Sequence, residues 1–116
     1  MRPVVWMGDS LNELRTWSED AQDDVGAALL AAQIGGKSSL AFPLHGFGGA
    51  GVLEIKTSDV GGTYRVVYTV KLEDAIYVLH AFQKKSTKGI ETARRDLDLI
   101  ARRLAEATMK SQRTRS

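Results

Sequence analysis

Arg65 stands in the run Thr63-Tyr64-Arg65-Val66-Val67-Tyr68, where a strand would otherwise bury apolar groups. Burying a guanidinium unpaired is costly, so Arg65 calls for an anionic partner. Two kinds of anion answer that need: a phosphate brought from outside, or an internal carboxylate such as Glu54 on the preceding strand. Further along, Lys84, Lys85 and Lys88 crowd three ammonium groups around one predicted strand exit. Such a cluster can hold phosphates, and mutual repulsion makes each ammonium a readier proton donor, which suits one of them to proton transfer. The plain alternative is a solvated strand exit. His80, between Leu79 and Ala81, fits either a hydrogen-bonded structural role or proton transfer. The other histidine, His45, lies in a glycine-rich loop, and neither histidine belongs to a metal-binding pair. The chemistry open to this set is to hold a phosphate and move a proton beside it.

These side chains have to be positioned by the elements around them. Ser10 and Glu13 have the spacing of a capping box, and Ser18 with Glu19 and Asp20 forms a second helix start. Apolar residues recur with helical spacing at Ala21, Val25, Ala28, Leu29 and Ala32 before Gly35 and Gly36 end the run. The result is a helical hairpin over 10–35, with a short strand at Val4-Val5-Trp6 ahead of it. The segment 36–51 shows no periodicity and reads as a loop. It contains Gly46-Phe47-Gly48-Gly49-Ala50-Gly51, which has the spacing of a dinucleotide fingerprint. That fingerprint needs a helix after it, and here a strand follows, so a flexible glycine loop is the better reading.

Strands are predicted over 52–56, 63–70 and 75–83, the last two joined too tightly for anything but an antiparallel hairpin. Pairing Val70 with Ala75 would set Arg65 opposite His80 and Tyr68 opposite Tyr77, a register that one residue of slip would destroy. Ile90, Ala93, Leu97, Ile100, Ala101 and Leu104 then mark a C-terminal helix, supported by Glu91 with Arg95 and Asp98 with Arg102. Residues 109–116 are expected to fray as a basic tail, leaving 1–108 as one domain.

Composition narrows the choices. At 116 residues with 43% hydrophobic and 26% charged side chains, the chain suits a single soluble domain. With no cysteine, disulfide frameworks, thiol nucleophiles and Cys-ligated metal sites are excluded. No apolar run reaches membrane-spanning length and no leader-like segment opens the chain, so the cytoplasm is the expected compartment. The net charge of +2 hides an asymmetry: residues 1–83 carry 6 basic and 10 acidic groups, residues 84–116 carry 10 and 4. A basic segment on a nearly neutral protein suits contact with a polyanion, or else a solvated helix face.

The run Gly61-Gly62-Thr63-Tyr64-Arg65-Val66-Val67-Tyr68, followed by Val78-Leu79-His80-Ala81-Phe82-Gln83-Lys84-Lys85-Ser86-Thr87-Lys88 and a helix with Ala93, resembles the RelE/HigB toxin superfamily, and most closely its phage-derived HigB-like branch. The resemblance covers about residues 4–106. It implies an α+β, RelE/ParE-like fold: an N-terminal helical hairpin, an antiparallel sheet of three to four strands and a C-terminal helix. It further implies the toxin of a type II toxin–antitoxin pair. Such a toxin is a metal-independent, cofactor-free endoribonuclease that cuts mRNA on the ribosome by 2′-hydroxyl attack and is neutralised by a helix-turn-helix antitoxin.

Carried over by motif position, Arg65 would stabilise the pentacovalent phosphate, and Lys84 or Lys85 would ground the phosphate or move a proton. His80 would assist, while Lys88, Lys56 and Arg95 would contact RNA. The other class open to the sequence is a non-enzymatic binder, either a ParE-like gyrase inhibitor or a phage-derived regulator. In one respect the chain departs from the superfamily. Several members use a tyrosine, histidine or aspartate in the C-terminal helix or tail, but residues 86–116 here contain no Tyr or His. Asp96 and Asp98 remain, at positions suited to ion pairing.

Overall fold

The computed structural model describes residues 1–47, 49, 51–84 and 92–115. The order of elements is β1 (Val4–Trp6), α1 (Ser10–Leu14), α2 (Glu19–Gln33), β2 (Ala41–Pro43), β3 (Val52–Asp59), β4 (Gly62–Thr69), β5 (Ile76–Lys84) and α3 (Arg94–Arg115). The strands form one sheet in the order β1-β5-β4-β3-β2. Helices α1 and α2 cover one face and α3 covers the other, giving an α+β domain of three layers.

Two features of the sheet correct the expectation of three or four antiparallel strands. First, β1 is indeed a strand, but it pairs parallel to β5, Val4 opposite Ile76 and Trp6 opposite Val78. Its partner lies some seventy residues away, and no local pattern announces a pairing at that distance. Second, the segment read as a loop contains β2, antiparallel to β3 with Phe42 opposite Glu54. Three residues are too few to show alternation. Pro43, which has no N–H to give a ladder, is tolerated there because β2 is an edge strand.

At the start of the chain, the proposed capping box does not form. Asp9 is the N-cap of α1 but its side chain makes no capping bond, Ser10 Oγ donates instead to the Met7 carbonyl, and Glu13 accepts from Trp17 Nε1. The second cap is present: Ser18 Oγ accepts from the Ala21 amide at 3.1 Å and donates to Asp59 at 2.6 Å. One hydroxyl thus caps α2 and ties it to the β3–β4 turn. In that turn Gly62 has φ +133°, and the Gly61 amide and Tyr64 hydroxyl also donate to Asp59. The hydrogen bonds from Ser18 and Gly61, above all, hold the Asp59 carboxyl below its ordinary 3.8.

The stripe Ala21, Val25, Ala28, Leu29 and Ala32 is buried throughout and packs with Ile55, Val66, Tyr68, Ile76 and Val78. On the opposite face, Ile100 and Ala107 pack with Val52, Val67, Tyr77 and Leu79. Helix α3 differs from expectation in three ways. Ala93 and Ala101 are exposed. Asp98 pairs with Arg94 in place of Arg102. The helix continues to Arg115 through the segment expected to fray. Ser111, one step further along the buried stripe, hydrogen-bonds Asp74, which also accepts from the Tyr77 hydroxyl at 2.7 Å. The pair of Glu91 with Arg95, and Ile90, lie outside the described residues.

Candidate functional site

The β4–β5 hairpin decides which side chains meet. Its observed register sets Thr69 opposite Tyr77, one residue off the expected pairing, and a bulge between Val67 and Tyr68 adds a second. Arg65 therefore faces Phe82, while His80 faces Val67 and Tyr68 faces Val78, correcting the predicted pairs of Arg65 with His80 and Tyr68 with Tyr77. Two slips of one residue cancel in parity, because side chains alternate with period two. Arg65 and His80 thus remain on the same face, the one covered by α3, whereas Tyr77 has moved to the face opposite Tyr68.

Arg65 finds the internal carboxylate. Its Nη1 lies 3.3 Å from Glu54 Oε1, and the two side chains are only 5% and 4% exposed. Glu54 also takes Lys56 Nζ at 3.8 Å on the same oxygen and the Thr92 hydroxyl at 2.9 Å on the other. One carboxylate therefore gathers a guanidinium, an ammonium and a hydroxyl from two strands and the approach to α3. Lys56 is the accessible member, 42% exposed, with its ammonium 5.3 Å above the Phe42 ring.

These groups border a cavity of about 450 Å³ between the β2–β3 edge and the start of α3, lined by His45, Glu54, Lys56, Arg65 and Thr92 with apolar walls from Leu44 and Leu97. A shallower hollow shares Leu44, His45 and Lys56 with it and extends to Phe42. The floor carries a compensated charge set, and the rim presents an ammonium and an imidazole. That arrangement suits an anion with an apolar or planar neighbour.

His80 lies elsewhere. Its Nε2 is 2.8 Å from Asp96 Oδ1, and its ring stacks on Phe82 with centroids 4.8 Å apart. Nδ1 is buried with no partner among the described residues. His80 is thus the strut that fastens the first turn of α3 to β5, and that turn in turn supplies Leu97 to the cavity.

The structure gathers Arg65 and Lys56 at the cavity, and the other described members of the sequence-derived set, His80, Lys84 and Arg95, are not among its described lining residues. Lys84 ends β5 opposite Thr63, and Arg95 is exposed on α3. Lys85 and Lys88 lie outside the described residues. Thr92 and His45 were not among the expected site residues. The signal for His45 was local: a polar residue between Leu44 and Phe47, two apolar residues that pack into the α3-face cluster. Among the described residues, no group of His, Asp and Glu could hold a metal ion, and no helix is long and apolar enough to cross a membrane.

A five-stranded mixed sheet with one short and one longer helix on one face, in place of the expected helical hairpin, and a long C-terminal helix on the other defines a small α+β domain, with a cavity bordered by Arg65, Lys56 and His45 on the C-terminal-helix face. The family described as Phage derived protein Gp49-like (DUF891) matches residues 12–105, and the chain belongs to that family. No curated protein matches the chain.

Proposed function

We propose that this protein is the toxin half of a type II toxin–antitoxin pair and acts as a metal-independent endoribonuclease on ribosome-bound mRNA. The single observation that carries the reading is the convergence of Arg65, Lys56 and His45 on one cavity with an apolar wall. Membership of a phage-derived family and the resemblance to RelE/HigB toxins support it. The ribose 2′-hydroxyl attacks the adjacent phosphorus, and the extra negative charge of the pentacovalent phosphate is met by the cations of the cavity. Arg65 supplies a planar donor there, held in orientation by Glu54. A helix-turn-helix antitoxin is the proposed neutralising partner.

A second reading draws on the same ion pair. Glu54 already compensates Arg65, as expected of a purely structural bridge, and this favours a non-enzymatic binder such as a gyrase inhibitor or a phage regulator. Mapping of mRNA 5′ ends after induction separates the two. New ends within translated codons support the nuclease. Intact mRNA with damaged DNA supports gyrase inhibition, and growth without either effect supports the regulator. Arg65→Lys refines the first outcome: it retains a positive charge against Glu54 but loses the planar fork, so a folded variant with unimpaired cleavage would remove Arg65 from the chemistry.

A further inference from the structure

The cavity contains a group that the motif comparison did not assign. We infer that His45 donates the proton that the departing 5′-oxygen needs; the inference rests on the nuclease reading above. Among the described residues lining the cavity, the alternatives are occupied or chemically unsuited. A guanidinium does not release its proton under physiological conditions, so Arg65 can only stabilise charge. Glu54 is an acceptor whose oxygens are engaged by Arg65, Lys56 and Thr92. Lys56 is held between that carboxylate and the Phe42 ring, and a threonine hydroxyl is too weak an acid. His45 has no hydrogen-bond partner among the described residues, is exposed at the rim, and is of the one side-chain type that ordinarily exchanges protons near neutrality.

His45 is also held in place. Leu44 donates its amide to the Val52 carbonyl at 3.0 Å, extending the β2–β3 ladder, and both Leu44 and Phe47 pack against the α3-face cluster. Gly46, with φ +94°, turns the chain between them in a conformation that L side chains rarely adopt. The imidazole is therefore carried on a short anchored corner at the mouth of the cavity. His80, by contrast, is occupied by Asp96 and does not line it.

In the step itself, the O2′–P bond forms and the P–O5′ bond breaks. The 2′-hydroxyl proton passes to water, and the imidazolium gives its proton to O5′. The products are a 2′,3′-cyclic phosphate and a 5′-hydroxyl, and water returns a proton to the imidazole.

The test uses the full chain on ribosomes programmed with an mRNA that carries either the natural 5′-oxygen or a bridging sulfur at the scissile linkage. A thiolate leaves without protonation. His45→Gln should slow single-turnover cleavage of the oxygen substrate by about 10²–10⁴-fold while cleaving the sulfur substrate at nearly the parent rate. His80→Gln, which loosens the first turn of α3, should slow both substrates by the same factor. A His45→Gln variant equally slow on both substrates, or as fast as the parent on the oxygen substrate, overturns the assignment of His45 alone. Failure of the parent chain to cleave either substrate overturns the nuclease reading and this inference with it.

Discussion

The two faces of the sheet are built from the same strands and obey different rules. Beneath α1 and α2, β3 and β4 contribute Ile55, Tyr64, Val66 and Tyr68, which pack against an all-apolar helical stripe. Under α3 the alternate residues are Glu54, Lys56 and Arg65 beside Val67, and β5 adds His80. The first face is held by area removed from water, which is indifferent to the detailed placement of neighbours. The second adds to its own apolar cluster around Val67, Leu79 and Ile100 a set of compensated charges, which requires each group to find its partner at a fixed distance. A domain of this size has little stability to spare, so charge placed in one of its two cores has to be compensated within the fold.

The strongest way to break the comparison is to strand one charge. Glu54→Ala and Arg65→Ala should each cost about 3–5 kcal/mol in urea denaturation, because the remaining partner is left buried. The joint change Glu54→Leu with Arg65→Met should recover most of that loss, so the two effects will be far from additive. On the other face Ile55→Ala, between the same neighbours in sequence, should cost about 2–5 kcal/mol with no partner change able to rescue it. If the double variant is as unstable as the singles, the pair is not the organising contact of this face.

Next in size is His80→Gln, which disturbs the bond to Asp96 and should cost about 1–3 kcal/mol, with amide exchange accelerated in the first turn of α3 before the rest of the helix. The far end of that helix is held by Asp74. Burial by itself would raise the Asp74 carboxyl, but the bonds from Ser111 and Tyr77 outweigh it and hold the group below its ordinary 3.8. Since the folded value is depressed, the contribution is complete above the unfolded value and is lost as pH falls through the lower folded one. Asp59 acts in the same direction on the opposite side. Stability should therefore decline below about pH 4, and Asp74→Asn should flatten part of that decline in acid titrations followed by circular dichroism. The smallest effect is expected at Tyr68, whose hydroxyl is buried with no partner among the described residues. Tyr68→Phe should shift stability by no more than about 1 kcal/mol, and upward, as an unpaired polar atom leaves the apolar face.

Much of this could be read along the chain. The stripe of α2, the Ser18 cap, the glycine stop after Gln33 and the three long strands all follow from short-range periodicity and turn chemistry. Arg65 announced its need for an anion by standing among apolar residues, and Glu54 was already one of the two answers. The edge strand β2 was hidden by its three residues and its proline. The α3 terminus was hidden by basic composition: Ser111 and Arg115 reach Asp74 and Glu73 across the fold, and no local pattern shows it. His45 was hidden in a glycine-rich segment that lacks periodicity.

By itself the sequence determined which residues are apolar, how they are spaced and therefore which elements form, because helix and strand periods are local properties of the chain. It also determined that one guanidinium had to be compensated. Only the tertiary structure decided which carboxylate would do so, which histidine would border the cavity and which would brace a helix. Those outcomes depend on strand register, where a one-residue offset and a one-residue bulge together set every partner across the hairpin, and on an edge strand whose pairing spans residues that carry no local signal.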